Sequence, residues 1–205
     1  MSEAAFFTEG AKKRVGEAVT DAESHTAAEV VVVVRRSSAP WREVDLAAGA
    51  AVAMAVLLLL IFHPQPVADS AIPFDVAVSF LAAAVLTASF GSLKRALLPR
   101  KRVEEQVRMA ASAAFVQQGV SRTRGRTGVL VFVSMLERRV ELVVDVGVDA
   151  KLLEAQGEAL AASLKRGPDF DAFVAGVRAL GPALSAALPR SADDVNELPD
   201  APVMA

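Results

Sequence analysis

Residues 46–93 read LAAGAAVAMAVLLLLIFHPQPVADSAIPFDVAVSFLAAAVLTASFGSL. Within this stretch Leu46–Phe62 and Val76–Leu93 carry no charged residue. At ~1.5 Å rise per residue these segments of 17 and 18 residues reach about 25–27 Å, the short end of a bilayer-spanning helix. Both are apolar all round. Small residues recur at helical spacing, Gly49 and Ala53 in the first and Ala83, Thr87 and Gly91 in the second, which lets two helices approach closely in lipid. The linker His63–Asp75 holds three prolines and reads as a turn. The stretch is expected to be a two-helix membrane hairpin. Two buried helices of a soluble core are the alternative.

Outward from the hairpin, charge sets an orientation. The linker has no Lys or Arg, whereas Arg35, Arg36 and Arg42 precede the first span and Lys94, Arg95, Arg100, Lys101 and Arg102 follow the second. The positive-inside rule puts both flanks, and so both termini, in the cytoplasm of a protein crossing the inner (plasma) membrane twice. Trp41 is expected as an interfacial anchor.

The flanks read as one soluble domain. Phe7, Ala11, Val15, Ala18 and Ala22 form one face of a helix, and Glu29–Arg35, EVVVVVR, is a strand buried on both faces. Beyond the hairpin, Val103, Val107, Ala110 and Ala114 repeat the helical stripe up to Gly119. Gly128–Ser134 is a second apolar strand, and Arg139–Asp145 alternates as the outer partner of a β-hairpin. Asp149 and Asp169 are N-cap residues for two further helices, the second kinked at Gly181-Pro182. The expected class is α/β: a small mixed sheet, a βαβ unit plus a β-hairpin, flanked by helices, with the membrane hairpin inserted in the crossover. The expected organisation is a first part of the domain at 1–45, the hairpin at 46–93, a second part at 94–189 and a loosely docked tail at 190–205.

Composition narrows the function. Hydrophobic residues make up 53% and mean hydropathy is +0.39, as expected if about a sixth of the chain faces lipid. The net charge of −2 argues against a nucleic-acid partner. There is no cysteine, and His25 and His63 are the only histidines, which removes thiolate chemistry, HExxH zinc sites and most of the material for a Ser-His-Asp triad. The N-terminal MSEAAFFTEG lacks the basic start and apolar run of a signal peptide.

Three segments carry a family resemblance: AEVVVVV (Ala28–Val34), RTGVLVFVSMLERRVELVVDVGV (Arg126–Val148) and NELPD (Asn196–Asp200). They resemble the TPM-domain family, which includes photosystem II repair proteins of the thylakoid lumen. The strand, hairpin and Asp-x-Gly of the central segment are the most specific match. The resemblance implies an α/β domain with a small mixed sheet. It also implies one of the roles credited to relatives: acid phosphatase, calcium binder or accessory factor for a membrane complex. The expected cytoplasmic placement departs from relatives that work in a lumen or periplasm.

Two ends of the sheet are candidate sites. The end facing the membrane gathers Arg35, Arg36, Arg138 and Arg139 near Lys94, Arg95, Arg100, Lys101 and Arg102, suited to anionic lipid head groups as well as to positive-inside anchoring. The far end gathers Glu29, Arg126, Asp145 and Asp149. Carboxylates there suit a divalent cation such as calcium or magnesium, and Arg126 would grip a phosphate. Ordinary structural work explains the same residues: Asp149 as an N-cap, and Arg126 paired with Glu29 or Asp145. The expected function is a membrane-anchored TPM-like binding or accessory module with membrane lipids and a membrane protein as partners. A metal-assisted phosphatase and an anionic-lipid surface sensor are the alternatives. No nucleophile–base pair is evident, which favours binding over catalysis.

Overall fold

The computed structural model describes residues 3–64, 68, 70–191 and 196–204. The chain divides into two compact units, Met1–Ala39 with Glu104–Ala205, and Pro40–Val103. In chain order the elements are α1 (Glu9–Glu23), β1 (Val30–Arg35), α2 (Arg42–Ile61), α3 (Ile72–Ser89), α4 (Gly91–Leu97), α5 (Arg100–Gln117), β2 (Val129–Ser134), β3 (Arg139–Val144), α6 (Glu154–Lys165), α7 (Phe170–Arg178), α8 (Leu180–Ser185) and β4 (Val203–Met204).

The first unit is an α/β fold on a four-stranded mixed sheet of order β3-β2-β1-β4. β1 and β2 are parallel, with Val30 opposite Val129 and Arg35 opposite Ser134. β2 and β3 form the antiparallel hairpin, and β4 lies parallel to β1 at Val33 and Val34. Every residue of β2, and all of β1 but Arg35, is buried, so both central strands are covered on both faces. Val30, Val32, Val34, Val129, Val131 and Val133 join the core that contains α1, α6, α7 and α8 side chains. Val31, Val33, Leu130 and Phe132 point the other way and are equally buried. α5 is held on that side: Glu104 pairs with Arg139 at 3.0 Å, and Gln117 accepts from Arg35 at 3.3 Å.

Local chemistry sets the helix limits. Thr8 caps α1 by accepting from the Ala11 amide at 3.1 Å, and Asp169 caps α7 by accepting from Ala172 at 3.0 Å. A short 3-10 turn at Glu3–Phe7 precedes α1 and changes the phase, so Phe6 is fully buried and Phe7 is not. The expected kink near Gly181-Pro182 is a break at Ala179 between α7 and α8. A Cβ on Gly181 would fall 2.2 Å from the Ala22 carbonyl oxygen, so α8 reaches α1 only through a glycine.

The tail is more ordered than a loosely docked one. Val203–Met204 adds the edge strand β4, and the amides of Glu197 and Leu198 both donate to the Glu29 carboxylate at 3.2 Å. Residues 192–195 of this tail, and 65–67 and 69 of the expected turn, lie outside the described residues.

In the second unit α2 and α3 pack against each other, and both are long and apolar enough to cross a membrane. Only 11% and 6% of their apolar windows are buried, so the side chains face outward. Gly49, Ala53 and Thr87 are the buried small residues; a Cβ on Gly49 would stand 2.8 Å from the Phe80 carbonyl oxygen. The helices extend past the charge-free limits at one end each. α2 begins at Arg42 with Glu43 and Asp45 in its first turn, and α3 takes Pro73 and Asp75 into its own. Helix N-termini favour acids, and a proline there costs no hydrogen bond. α3 stops at Ser89 because Phe90 is extended, and α4 restarts at Gly91. Trp41 is 1% exposed and left-handed (φ 47°), so its ring is enclosed rather than presented as an interfacial anchor.

Candidate functional site

Pairing of β2 with β3 builds the distal end of the sheet. Val129 opposite Val144 brings Gly128 against Asp145, whose amide donates to the Gly128 carbonyl at 2.9 Å. Two residues on, the Gly147 amide donates to the Arg126 carbonyl at 2.9 Å. A Cβ on Gly147 would meet that oxygen at 2.6 Å, which gives Asp-x-Gly a packing reason. Arg126 itself is left-handed (φ 54°). The turn holds it so that its guanidinium reaches Asp145 Oδ1, from Nη2 at 3.0 Å and Nε at 3.2 Å.

Asp145 is 4% exposed. Its Oδ1 also accepts from the Val146 amide at 2.8 Å, while Oδ2 is buried without a hydrogen-bond partner among the described residues. Asp149 accepts from the Lys151 amide at 3.0 Å and caps the 3-10 turn Ala150–Leu153. Glu29 turns to the tail amides. Of the four residues expected together, the fold thus joins Arg126 to Asp145 and gives Glu29 and Asp149 separate structural partners. Among the described residues no group of three or more His, Asp or Glu is placed to hold a metal ion.

The tail contributes a second polar cluster that sequence reasoning missed. Thr20 donates to Asp200 Oδ2 at 2.6 Å, Asn196 donates to the other Asp200 oxygen, and the Arg124 amide donates to Glu197 at 2.9 Å. NELPD is therefore the segment that fastens the tail. A cavity of about 60 Å³ beside it is lined by Thr20, Glu23, Glu29, Arg190, Asn196 and Asp200, among others. Glu23 Oε1 accepts from the Val30 amide at 2.8 Å. Burial pushes the Glu23 carboxyl up from 4.5 to about 8, and negative Glu29 and Asp200 push the same way; the Val30 amide and Arg190 oppose. The available signal was an acid in the last turn of α1, where helix ends disfavour negative charge.

At the opposite end of the sheet Arg35, Arg36 and Arg139 each have a contact of their own. Arg35 lies 5.7 Å from the Phe132 ring centroid and Arg36 lies 4.8 Å from that of Phe7. Arg139 pairs with Glu104, and Arg138, left-handed at φ 50°, has a buried Nε with no hydrogen-bond partner among the described residues. The buried Glu137 between them accepts from the Ser38 amide at 3.1 Å, the Ser38 hydroxyl at 2.7 Å and the Ser134 hydroxyl. It secures the segment after β1 to the β2–β3 turn.

In the hairpin unit Lys94 pairs with Asp45 at 2.9 Å, both side chains nearly enclosed, and Arg102 pairs with Glu43 at 3.4 Å in the open. Arg42, Arg100 and Lys101 are exposed, and their side chains make no hydrogen bond or ion pair among the described residues.

No protein-family model matches the chain, and no curated protein matches it. Among solved structures, the NMR structure of BA42 protein from the psychrophilic bacterium Bizionia argentinensis matches with a TM-score of 0.58 and 17% identity. The match covers 97% of this chain and 94% of that one. At this identity the likeness shows a shared fold.

Proposed function

We propose that the chain is a membrane-anchored binding or accessory module. A TPM-like α/β domain is held at the cytoplasmic face of the inner membrane by a hairpin spliced into its βαβ crossover. The observation that carries this reading is the outward display of apolar side chains on α2 and α3, within a chain segment bracketed by two strands of one sheet. A soluble core would bury such helices; lipid accepts them as they are. The linker without Lys or Arg, set against basic flanks, supports cytoplasmic placement of both halves, and the β1–β2 pairing requires that the two halves share one compartment.

Binding is favoured over catalysis by how the distal residues are used. Asp149 is a cap, Glu29 fastens the tail and Arg126 neutralises Asp145. The domain's contribution is a rigid surface offered to a membrane protein or complex. Reporter fusions after Arg42 and after Arg102 should both read cytoplasmic, and one within residues 65–70 should read external. An external signal from either flank defeats the orientation.

A further inference from the structure

We infer that the base of the hairpin is a docking surface for anionic phospholipid, centred on α4 and the start of α5; the inference rests on the membrane-spanning reading above. Up to Val103, where the hairpin unit ends, six cations, Arg42, Lys94, Arg95, Arg100, Lys101 and Arg102, stand there against two acids, Glu43 and Asp45, a local charge of +4 in a chain whose total is −2; Glu104 and Glu105 follow in α5, and Glu104 is taken by Arg139. The positive charge is therefore concentrated where the apolar helices end.

The structure sorts these cations. Asp45 holds Lys94 in a nearly enclosed pair, which fixes α4 to the foot of α2. Glu43 takes Arg102. Arg42, Arg100 and Lys101 are left exposed, their side chains without a hydrogen bond or ion pair among the described residues.

Apolar groups complete the surface. Phe90 is 56% exposed, and Leu93 and Leu97, four residues apart on one face of α4, are 42% and 47% exposed. Leu98 beyond them is buried. A short helix that shows leucines outward, in a segment that also carries the exposed Arg42, Arg100 and Lys101, suits the acyl–headgroup boundary: the leucines enter the apolar side and the cations reach lipid phosphates. Positive-inside anchoring acts on orientation during insertion. The surface described here also predicts an equilibrium preference for anionic over zwitterionic lipid, and it names the side chains that create it.

Trp41 is the only tryptophan and lies one residue before Arg42, so it serves as a built-in energy-transfer donor. The full chain is reconstituted in phosphatidylcholine–phosphatidylglycerol vesicles that carry one dansyl-chain lipid, either phosphatidylglycerol or phosphatidylcholine. Transfer to labelled phosphatidylglycerol should exceed transfer to labelled phosphatidylcholine. The preference should fall by about fivefold at most for each cation removed in Arg100→Gln and Lys101→Gln. It should also shrink as salt rises from ~0.1 M to ~1 M and the Debye length drops from about 10 Å to 3 Å. Equal transfer to both lipids, or an undiminished preference in the double variant, overturns the inference, provided the chain resists alkaline extraction. That result leaves the spanning reading standing. A chain released by alkaline extraction overturns the spanning reading and the inference together.

Discussion

Glu23 is the residue whose environment most affects its chemistry. Its carboxyl ionises near 4.5 in the unfolded chain and near 8 in the fold. Between those values the unfolded chain releases a proton that the folded chain keeps, so this group makes stability fall as pH rises through the interval and level off above it. Glu23→Gln stays neutral and keeps an acceptor for the Val30 amide. Its melting temperature should exceed that of the parent above pH 8 and converge with it below 4.5; parallel profiles would refute the assignment. Asp145 makes a different prediction. Asp145→Asn weakens a pair whose arginine is half exposed, at a cost of about 1 kcal/mol, or roughly 2–4 °C in melting temperature for a chain of this size. If the residue is structural, a generic phosphomonoester should be hydrolysed no faster than in buffer by either form. Turnover that copurifies with the parent and disappears in Asp145→Asn would establish catalysis at this site instead. The pairing of Arg126 with Asp145 was one of the alternatives open in the sequence. The partners of Glu29 were not legible, because they stand 168 and 169 positions away and meet it only through the folded tail.

At the scale of elements, periodicity and composition went furthest where one residue type repeats. The valines of β1 and the apolar run of β2 identify buried strands, and the alternation of β3 identifies an edge. The two-residue strand β4 has no such signature, since its pairing is a tertiary event that follows Pro202. Phase was lost at Phe6 and Phe7 for the same kind of reason: a 3-10 turn interrupts the spacing that the helix maintains. Close helix contacts yield a direct test. Gly181→Ala forces a Cβ against the Ala22 carbonyl oxygen and should cost about 1–3 kcal/mol in denaturant unfolding, whereas Gly167→Ala has nothing within 4 Å of its Cβ and pays only for its positive φ. Equal and small losses at both positions would mean that α8 does not approach α1 so closely.

At the scale of the molecule, the chain leaves its sheet after β1, forms a separate helical unit and returns through α5 to place β2 beside β1. A parallel pair always needs a long crossover, and here that crossover contains the apolar hairpin. Length and lack of charge made the two helices legible in sequence; their mutual packing through Gly49 followed from small-residue spacing. The central claim is that the two flanks form one domain to which the hairpin contributes no core. Excision tests it most directly: Leu46–Leu93 is replaced by ~10–15 Gly/Ser residues, a linker whose reach grows as about 5–6 Å × √n. The expected product leaves the membrane fraction, remains monomeric and unfolds in one cooperative transition by circular dichroism. A soluble monomer with no cooperative transition would contradict the claim.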